Sequence, residues 1–313
     1  MTPTPGTGAR PTPAPDPIAT WRHQDRRLAW MLMLPALAAL GLAVAPILWT
    51  VGESLFVRDL RMPWLGHPFV GLANYREALT DARFLGAVIH TAIFATVAVG
   101  LEVALGLALA LGLDRLMGAA RLLRTAVLLP WAVPTVVAAL IWRFIFESPG
   151  GLASRAVAAA GLEPPTWLAD PLAAWIPIVA ADVWKTTPFV ALLLLAGLQS
   201  IDRALYEAAA MDGASAWQRF RRITLPLLRP ALAVAVLFRL LDALRVFDII
   251  FVLTQGGPGT ATEPVAFYTF TTLLRTLRFG YGSALSTIVF LASLAIALAS
   301  IRLLARDADE DRA

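Results

Sequence analysis

The chain has 313 residues, of which 58% are apolar and only 15% charged, with a formal net charge of +4 and no cysteine. That balance excludes an ordinary soluble core and places the protein in a bilayer, while the missing cysteine excludes disulfides, thiolate metal sites and Cys nucleophiles. The three histidines have no metal-ligand spacing, and every cation but Lys185 is an arginine.

Taken in order, the chain opens on a stretch rich in Pro, Thr, Ala and Gly, too poor in large apolar groups to pack, so residues 1–27 read as a disordered cytoplasmic tail. Arg22, His23, Arg26 and Arg27 precede the apolar run 28–51, which is too long and too far from the start for a cleaved signal peptide. It reads as an anchor that stays in the membrane. Further runs at 85–113, 122–145, 174–198, 231–253 and 284–304 each reach the ~20 residues a span requires. The expectation is an all-α membrane protein with six spans over 28–304 and a cytoplasmic tail over 305–313.

Arginine placement sets the orientation. With the N-terminus inside, Arg115, Arg121, Arg124, Arg203, Arg219, Arg221, Arg222, Arg229, Arg302, Arg306 and Arg312 are cytoplasmic, whereas fewer arginines lie in the longer outer loops. Two outer segments, 56–84 with a short helix near Asn74 to Leu79 and 147–173, either cap the spans or meet a protein that delivers substrate.

Polar side chains inside apolar spans are costly and mark a pathway or an internal pair. The fifth span carries Arg239, Asp242, Arg245 and Asp248 at three-residue spacing, a drifting helical stripe of alternating sign. The fourth adds Asp182, Lys185, Thr186 and Thr187, and Glu102 in the second is a lone acid able to bridge to one of those arginines. Charges and hydroxyls of this kind suit a neutral, hydroxyl-rich ligand, or they are structural pairs. Thr186 and Thr187 can instead satisfy carbonyls freed by Pro188. Lys185, Thr187, Asp242, Arg245 and Asp248 are the pathway candidates.

Between the fourth and fifth spans lies a polar, Arg-rich island, residues 200–226. Ser200 is a plausible N-cap for a helix from Asp202 to Met211, whose alanines leave a closely approachable face. Gly213 supplies a turn, Ser215 caps a second helix carrying Trp217, Phe220 and Ile223, and Pro226 discourages continuation on the same axis. A small-residue helix outside the membrane suits docking into a groove on another protein.

At these residues the sequence resembles the inner-membrane permeases of binding-protein-dependent ABC importers, whose pattern of EAA, three residues, G, nine residues, I, one residue, LP is matched by Glu207, Ala208, Ala209, Gly213, Ile223, Leu225 and Pro226. Trp184 to Phe189, Phe247-Asp248 and Thr254-Gln255-Gly256-Gly257-Pro258 look like the maltose/trehalose-type sugar permeases. The resemblance implies a type I ABC importer permease in the bacterial inner membrane, with both termini cytoplasmic and the 200–226 loop coupling it to an ATPase. Its implied partners are a second homologous permease, a cytoplasmic ATPase dimer and an extracytoplasmic solute-binding protein, with lipid around the spans and a di- or oligosaccharide as substrate. No nucleic acid is expected.

The chain is not itself an enzyme on this reading. It lacks G-x-x-x-x-G-K-[ST] and any Ser/His/Asp arrangement, so ATP and Mg belong to the partner ATPase and no cofactor is expected in this chain. Two alternatives stay open: a permease of the same branch for glycerol phosphate diesters or polyols, and an ion-coupled secondary transporter using Asp242 and Asp248.

Overall fold

The computed structural model describes residues 17–115 and 120–310, and it divides into two units, 1–52 and 53–313. The first unit is one helix, α1 (Pro17–Glu53), whose apolar part Trp30–Glu53 is long enough to span a bilayer. The helix starts at Pro17, so the later part of the expected tail over 1–27 is helical; residues 1–16 lie outside the described ones.

The second unit holds α2 (Ala73–Thr80), α3 (Ala82–Arg115), α4 (Ala120–Ala132), α5 (Thr135–Phe146), α6 (Leu152–Ala159), α7 (Trp175–Gln199), α8 (Arg203–Met211), α9 (Ala216–Arg219), α10 (Leu225–Ala243), α11 (Asp248–Leu253), α12 (Val265–Phe270) and α13 (Phe279–Glu310). Among the described residues β structure is limited to two isolated bridges, Phe56 with Phe69 and Asp59 with Arg278. Five helices are long and apolar enough to cross a membrane, and the bent pair α4–α5 makes six if counted as one span. The all-α, six-span expectation therefore holds. The C-terminal helix continues past residue 304 to Glu310, and 311–313 lie outside the described residues.

Two expected spans are broken. Residues 122–145 form α4 and α5, which meet at 92° around Pro134, because proline has no N–H for the helix ladder. Residues 231–253 form α10 and α11, separated at 244–247. The stripe of Arg239, Asp242, Arg245 and Asp248 is thus not continuous: the first two share α10, Arg245 lies in the break, and Asp248 opens α11, where a carboxylate favours the helix N-terminus.

Packing proceeds in three levels along α3. Phe84 and Ala87 join Tyr268, Tyr281 and Leu285; Phe94, Ala98 and Val99 join Ile178, Ala181, Ala243 and Ile250; Ala110 and Leu113 join Leu194, Leu198, Leu228 and Ala235. α3 and α7 therefore run parallel while α10 returns. Gly106 permits the closest α3–α7 approach, since a Cβ there would sit 2.7 Å from Val190 Cγ1. Burial of Phe94, Ile178, Leu194 and Leu228, at roughly 1.5–3 kcal/mol for each large side chain, holds the levels together.

At the level of Phe84, the 56–80 segment is tied to the start of α13 by Arg278 on Glu77 (2.7 Å) and by the amide of Gly280 on the Arg58 carbonyl (3.2 Å). The T-Q-G-G-P turn is packed rather than open. Thr262 Oγ1 donates to the Gly257 carbonyl (2.7 Å), and Trp175 Nε1 donates to the Ala261 carbonyl (3.2 Å).

Candidate functional site

Two sets of residues carry chemistry. The first is the loop between α7 and α10. Asp202, not Ser200, caps α8: its carboxylate accepts from the Ala204 amide (2.9 Å), while Ser200 ends α7 with its hydroxyl on the Gly197 carbonyl (2.7 Å). Ser200 keeps right-handed helical angles, whereas Asp202 has the extended backbone an N-cap needs.

The C-terminus of α8 closes as a Schellman motif. The Ala214 amide donates to the Ala209 carbonyl (2.9 Å) and the Gly213 amide to the Ala210 carbonyl (3.0 Å), with Gly213 at φ +78. Ser215 and Gln218 then form a reciprocal capping box for α9. Two tight local signals thus set the turn between the helices.

No residue of α8 is buried; Glu207 and Ala208 are exposed, Ala209 is half-buried, and Met211 and Trp217 stand 90% and 66% exposed. Beyond Arg219 the chain does not stop at Pro226. A π turn over Phe220–Thr224 leads into α10, and Pro226 sits in the first turn of that helix, where its missing N–H costs nothing. The expected change of axis is therefore absent, and Ala216–Ala243 is one membrane-length helix. Tyr206 Oη lies 3.0 Å from Thr224 Oγ1, which latches α8 to the π turn, and Ile223 and Leu225 are half-buried beneath it.

The second set is a charge cluster inside the spans. Arg239 of α10 is buried and makes a two-pronged contact with Glu102 of α3, a 3.0 Å bond to Asp182 of α7, and a further pair with Asp242 one turn along. Thr186 Oγ1 lies 2.7 Å from Glu102 Oε1. A guanidinium suits this role because its five N–H groups form a fixed fork able to serve three carboxylates at once. The lone acid Glu102 thus has its arginine, and it is Arg239.

Beside the cluster is a cavity of about 120 Å3 lined by Thr135, Asp182, Lys185, Asp242, Arg245, Phe247 and Asp248, among others. Four of the five pathway candidates meet there. The exception is Thr187, which is buried, and its hydroxyl finds no partner among the described atoms. Nor do the threonines serve carbonyls freed by Pro188. That proline releases the Trp184 carbonyl, whereas Thr186 reaches the Asp182 carbonyl at 2.6 Å. Lys185 bonds to the carbonyls of Trp131 and Val133. The aromatic wall, Phe247 stacked on Phe251 at 5.4 Å, escaped sequence reading because nothing local marks it as facing polar groups.

With this geometry in place, the likenesses to known proteins are specific. Residues 102–308 match the family described as "Binding-protein-dependent transport system inner membrane component". The chain belongs to that family.

The permease is 42% identical over 282 residues to the trehalose/maltose transport system permease protein MalF of Thermococcus litoralis, covering 90% of this chain and 95% of that one. It is 40% identical over 288 residues to the trehalose transport system permease protein SugA of Mycobacterium tuberculosis, covering 90% of each. It is 37% identical over 281 residues to the sulfoquinovosyl glycerol transport system permease protein SmoG of Agrobacterium fabrum, covering 90% and 91%. Its fold matches a chain of a bacterial ABC transporter that imports the acidic polysaccharide alginate, with a TM-score of 0.78 at 24% identity, over 92% of the permease and 99% of that chain. Membership of this family sets aside the ion-coupled secondary transporter.

Proposed function

We propose that the permease is one of two membrane subunits of an ATP-driven importer, forming half of the path for a di- or oligosaccharide handed over by an extracytoplasmic solute-binding protein. The observation that carries the substrate class is its identity of 40% or more, over 90% of the chain, with permeases named for trehalose and maltose. The pathway wall is the cavity of Lys185, Asp242, Arg245 and Asp248 with Phe247. At about 120 Å3 it is well below the roughly 300–1,000 Å3 of small-molecule pockets, which accords with one chain supplying only part of the wall. Thr187 is buried and is not among the residues that line the cavity.

The exposed helix α8, with Glu207, Ala208, Ala209 and the Gly213 turn, is the surface that seats in a cytoplasmic ATPase subunit; Ile223, Leu225 and Pro226 root it in α10. ATP and Mg act there, on the partner, and both termini of the permease share that side of the bacterial inner membrane. ATP and the loaded binding protein bias a two-state alternation between outward and inward openings.

One observation favours a narrower second reading. Among the described residues the Arg245 side chain bonds only to the Leu241 carbonyl (3.3 Å) and has no carboxylate partner, although it lines the cavity. A free guanidinium suits an anionic glycoside, in keeping with the sulfoquinovosyl glycerol relative, or a glycerol phosphate diester.

The deciding experiment is ATP hydrolysis by the reconstituted complex, with partner permease, ATPase and binding protein, across disaccharides, sulfonated glycosides and phosphodiesters. Stimulation by a neutral disaccharide is expected. Stimulation by the anionic compounds alone selects the second reading, and an assembled complex that answers to none of these compounds refutes both.

A further inference from the structure

Lys185 shares a cavity with Asp182, Asp242 and Asp248, yet among the described residues its ammonium forms no ion pair. It donates instead to two backbone carbonyls, Trp131 at 3.2 Å and Val133 at 2.7 Å. Spending the chain's sole lysine on carbonyls, with three carboxylates around the same cavity, calls for a physical reason.

The reason is the elbow between α4 and α5. α4 ends at Ala132, and its last carbonyls have no acceptor role within the helix. The Val133 amide takes the Pro130 carbonyl (3.3 Å), Pro134 has no N–H to offer, and the ladder resumes only with Ala138 on Pro134. Trp131 and Val133 are thus left with carbonyls that the helix ladder does not serve, a condition tolerated within a membrane-spanning segment only when another group satisfies them. A cation is also the favoured group at a helix C-terminus.

The neighbours of Lys185 on α7 grip the two limbs. Phe189 stacks on Trp131 of α4 at 6.0 Å between centroids, and Trp184 meets Trp142 of α5 edge-on at 6.1 Å. Positions 184, 185 and 189 lie on one face of α7, so a single helical face holds limb, elbow and limb.

We propose that Lys185 is the positioning residue of this elbow: it clamps the α4–α5 bend against α7 beside the pathway, and when the bend moves its ammonium passes from the carbonyls to the cavity carboxylates. This rests on the transport reading above and assigns Lys185 a role that is not contact with substrate.

The chain contains no cysteine, so Leu129→Cys and Phe144→Cys, both at exposed positions on the two limbs, give a unique pair for spin labels. In the assembled complex, with the partner subunits freed of reactive cysteines, the distance between them reads the bend. Lys185→Met should broaden that distribution and lower the maximal uptake rate by about tenfold with little change in KM, while Lys185→Arg should restore both. If Lys185→Met does not assemble, Lys185→Leu, which likewise has no N–H donor, carries the same comparison.

A wild-type distance distribution in the Met or Leu variant overturns the proposal, and a raised KM alongside it makes Lys185 a substrate contact. The bend is read without any transport, so failure of the sugar assignment leaves this result intact and distinguishable.

Discussion

Among the described residues Arg239 is the one guanidinium serving two acids buried in the spans, and replacing it tests whether the cluster holds α3, α7 and α10 together. The Arg239 side chain is 3% exposed, Glu102 0% and Asp182 9%, whereas Asp242 is 66% exposed. Removing one partner of a buried pair costs about 3–5 kcal/mol, because the charge left behind has no water to return to. The exposed pair with Asp242 contributes at most about 1 kcal/mol.

Arg239→Met leaves both Glu102 and Asp182 uncompensated, so its loss should fall at or above about 3–5 kcal/mol. Glu102→Gln keeps the shape and leaves Arg239 with Asp182 and Asp242, so about 1–3 kcal/mol is expected. Arg239→Lys should lie between them, since an ammonium cannot reproduce the fork. The double variant Glu102→Gln/Arg239→Met should lose less than the sum, because Glu102→Gln removes one of the charges that Arg239→Met strands. Unfolding of the purified complex, followed by intrinsic tryptophan fluorescence, gives the ranking. Arg239→Met as stable as wild type, or Glu102→Gln worse than Arg239→Met, would refute the electrostatic account.

Outside the spans, Asp81 accepts bonds from Tyr268 and Tyr281 and from the amides of Arg83 and Phe84; burial opposes its charge, but these bonds outweigh it and hold the carboxyl below its ordinary value. Its contribution is therefore complete above an ordinary Asp value of about 3.9 and lost as pH falls through the lower folded value, so Asp81→Asn should reduce stability at pH 6 and flatten the acid loss below about pH 4; an unchanged acid slope sinks this. Gly213→Ala should cost about 1–2 kcal/mol of left-handed strain, and Gly213→Pro, which also loses the bond to Ala210, should abolish substrate-stimulated ATP turnover while the spans still assemble; surviving stimulation would remove the coupling role. Asp248→Ala should impair uptake with normal insertion and assembly, and uptake at the wild-type rate would take Asp248 out of the pathway.

What the sequence revealed divides along the range of the interactions involved. The loop was legible because its chemistry is local: Gly213, Ser215 and Gln218 act on neighbours within a few residues. Even there one choice failed, since Ser200 and Asp202 are both good caps and the end of α7 decided between them. Spans were legible as apolar runs, but their breaks were not. The elbow had a signal in Pro130 and Pro134, whereas the break at Leu244 to Phe247 contains neither glycine nor proline and is set by tertiary packing. Glu102 was flagged as a lone acid able to bridge to a fifth-span arginine, and it does so, but with the partner 137 residues away the sequence did not say which arginine.

Those long-range pairs determine which parts of the permease can move separately. The exposed loop is continuous with α7 on one side and α10 on the other, and both helices are fixed to Arg239, through Asp182 on α7 and through the arginine's own backbone on α10. Shifting α7 against α10 would break a buried, charge-assisted contact, the costliest kind available in the spans. Among the described residues no ion pair crosses the α4–α5 or the α10–α11 break, so bending there meets only carbonyl contacts, such as those of Lys185 with Trp131 and Val133 and of Arg245 with Leu241. A displacement applied at α8 is thus carried by α7 and α10 as a pair, and the compliance lies at the two breaks that flank Lys185, Arg245 and Asp248. The charged residues that looked like one helical stripe are instead divided by function of position: Arg239 and Asp242 on the rigid side, Arg245 and Asp248 on the side that yields.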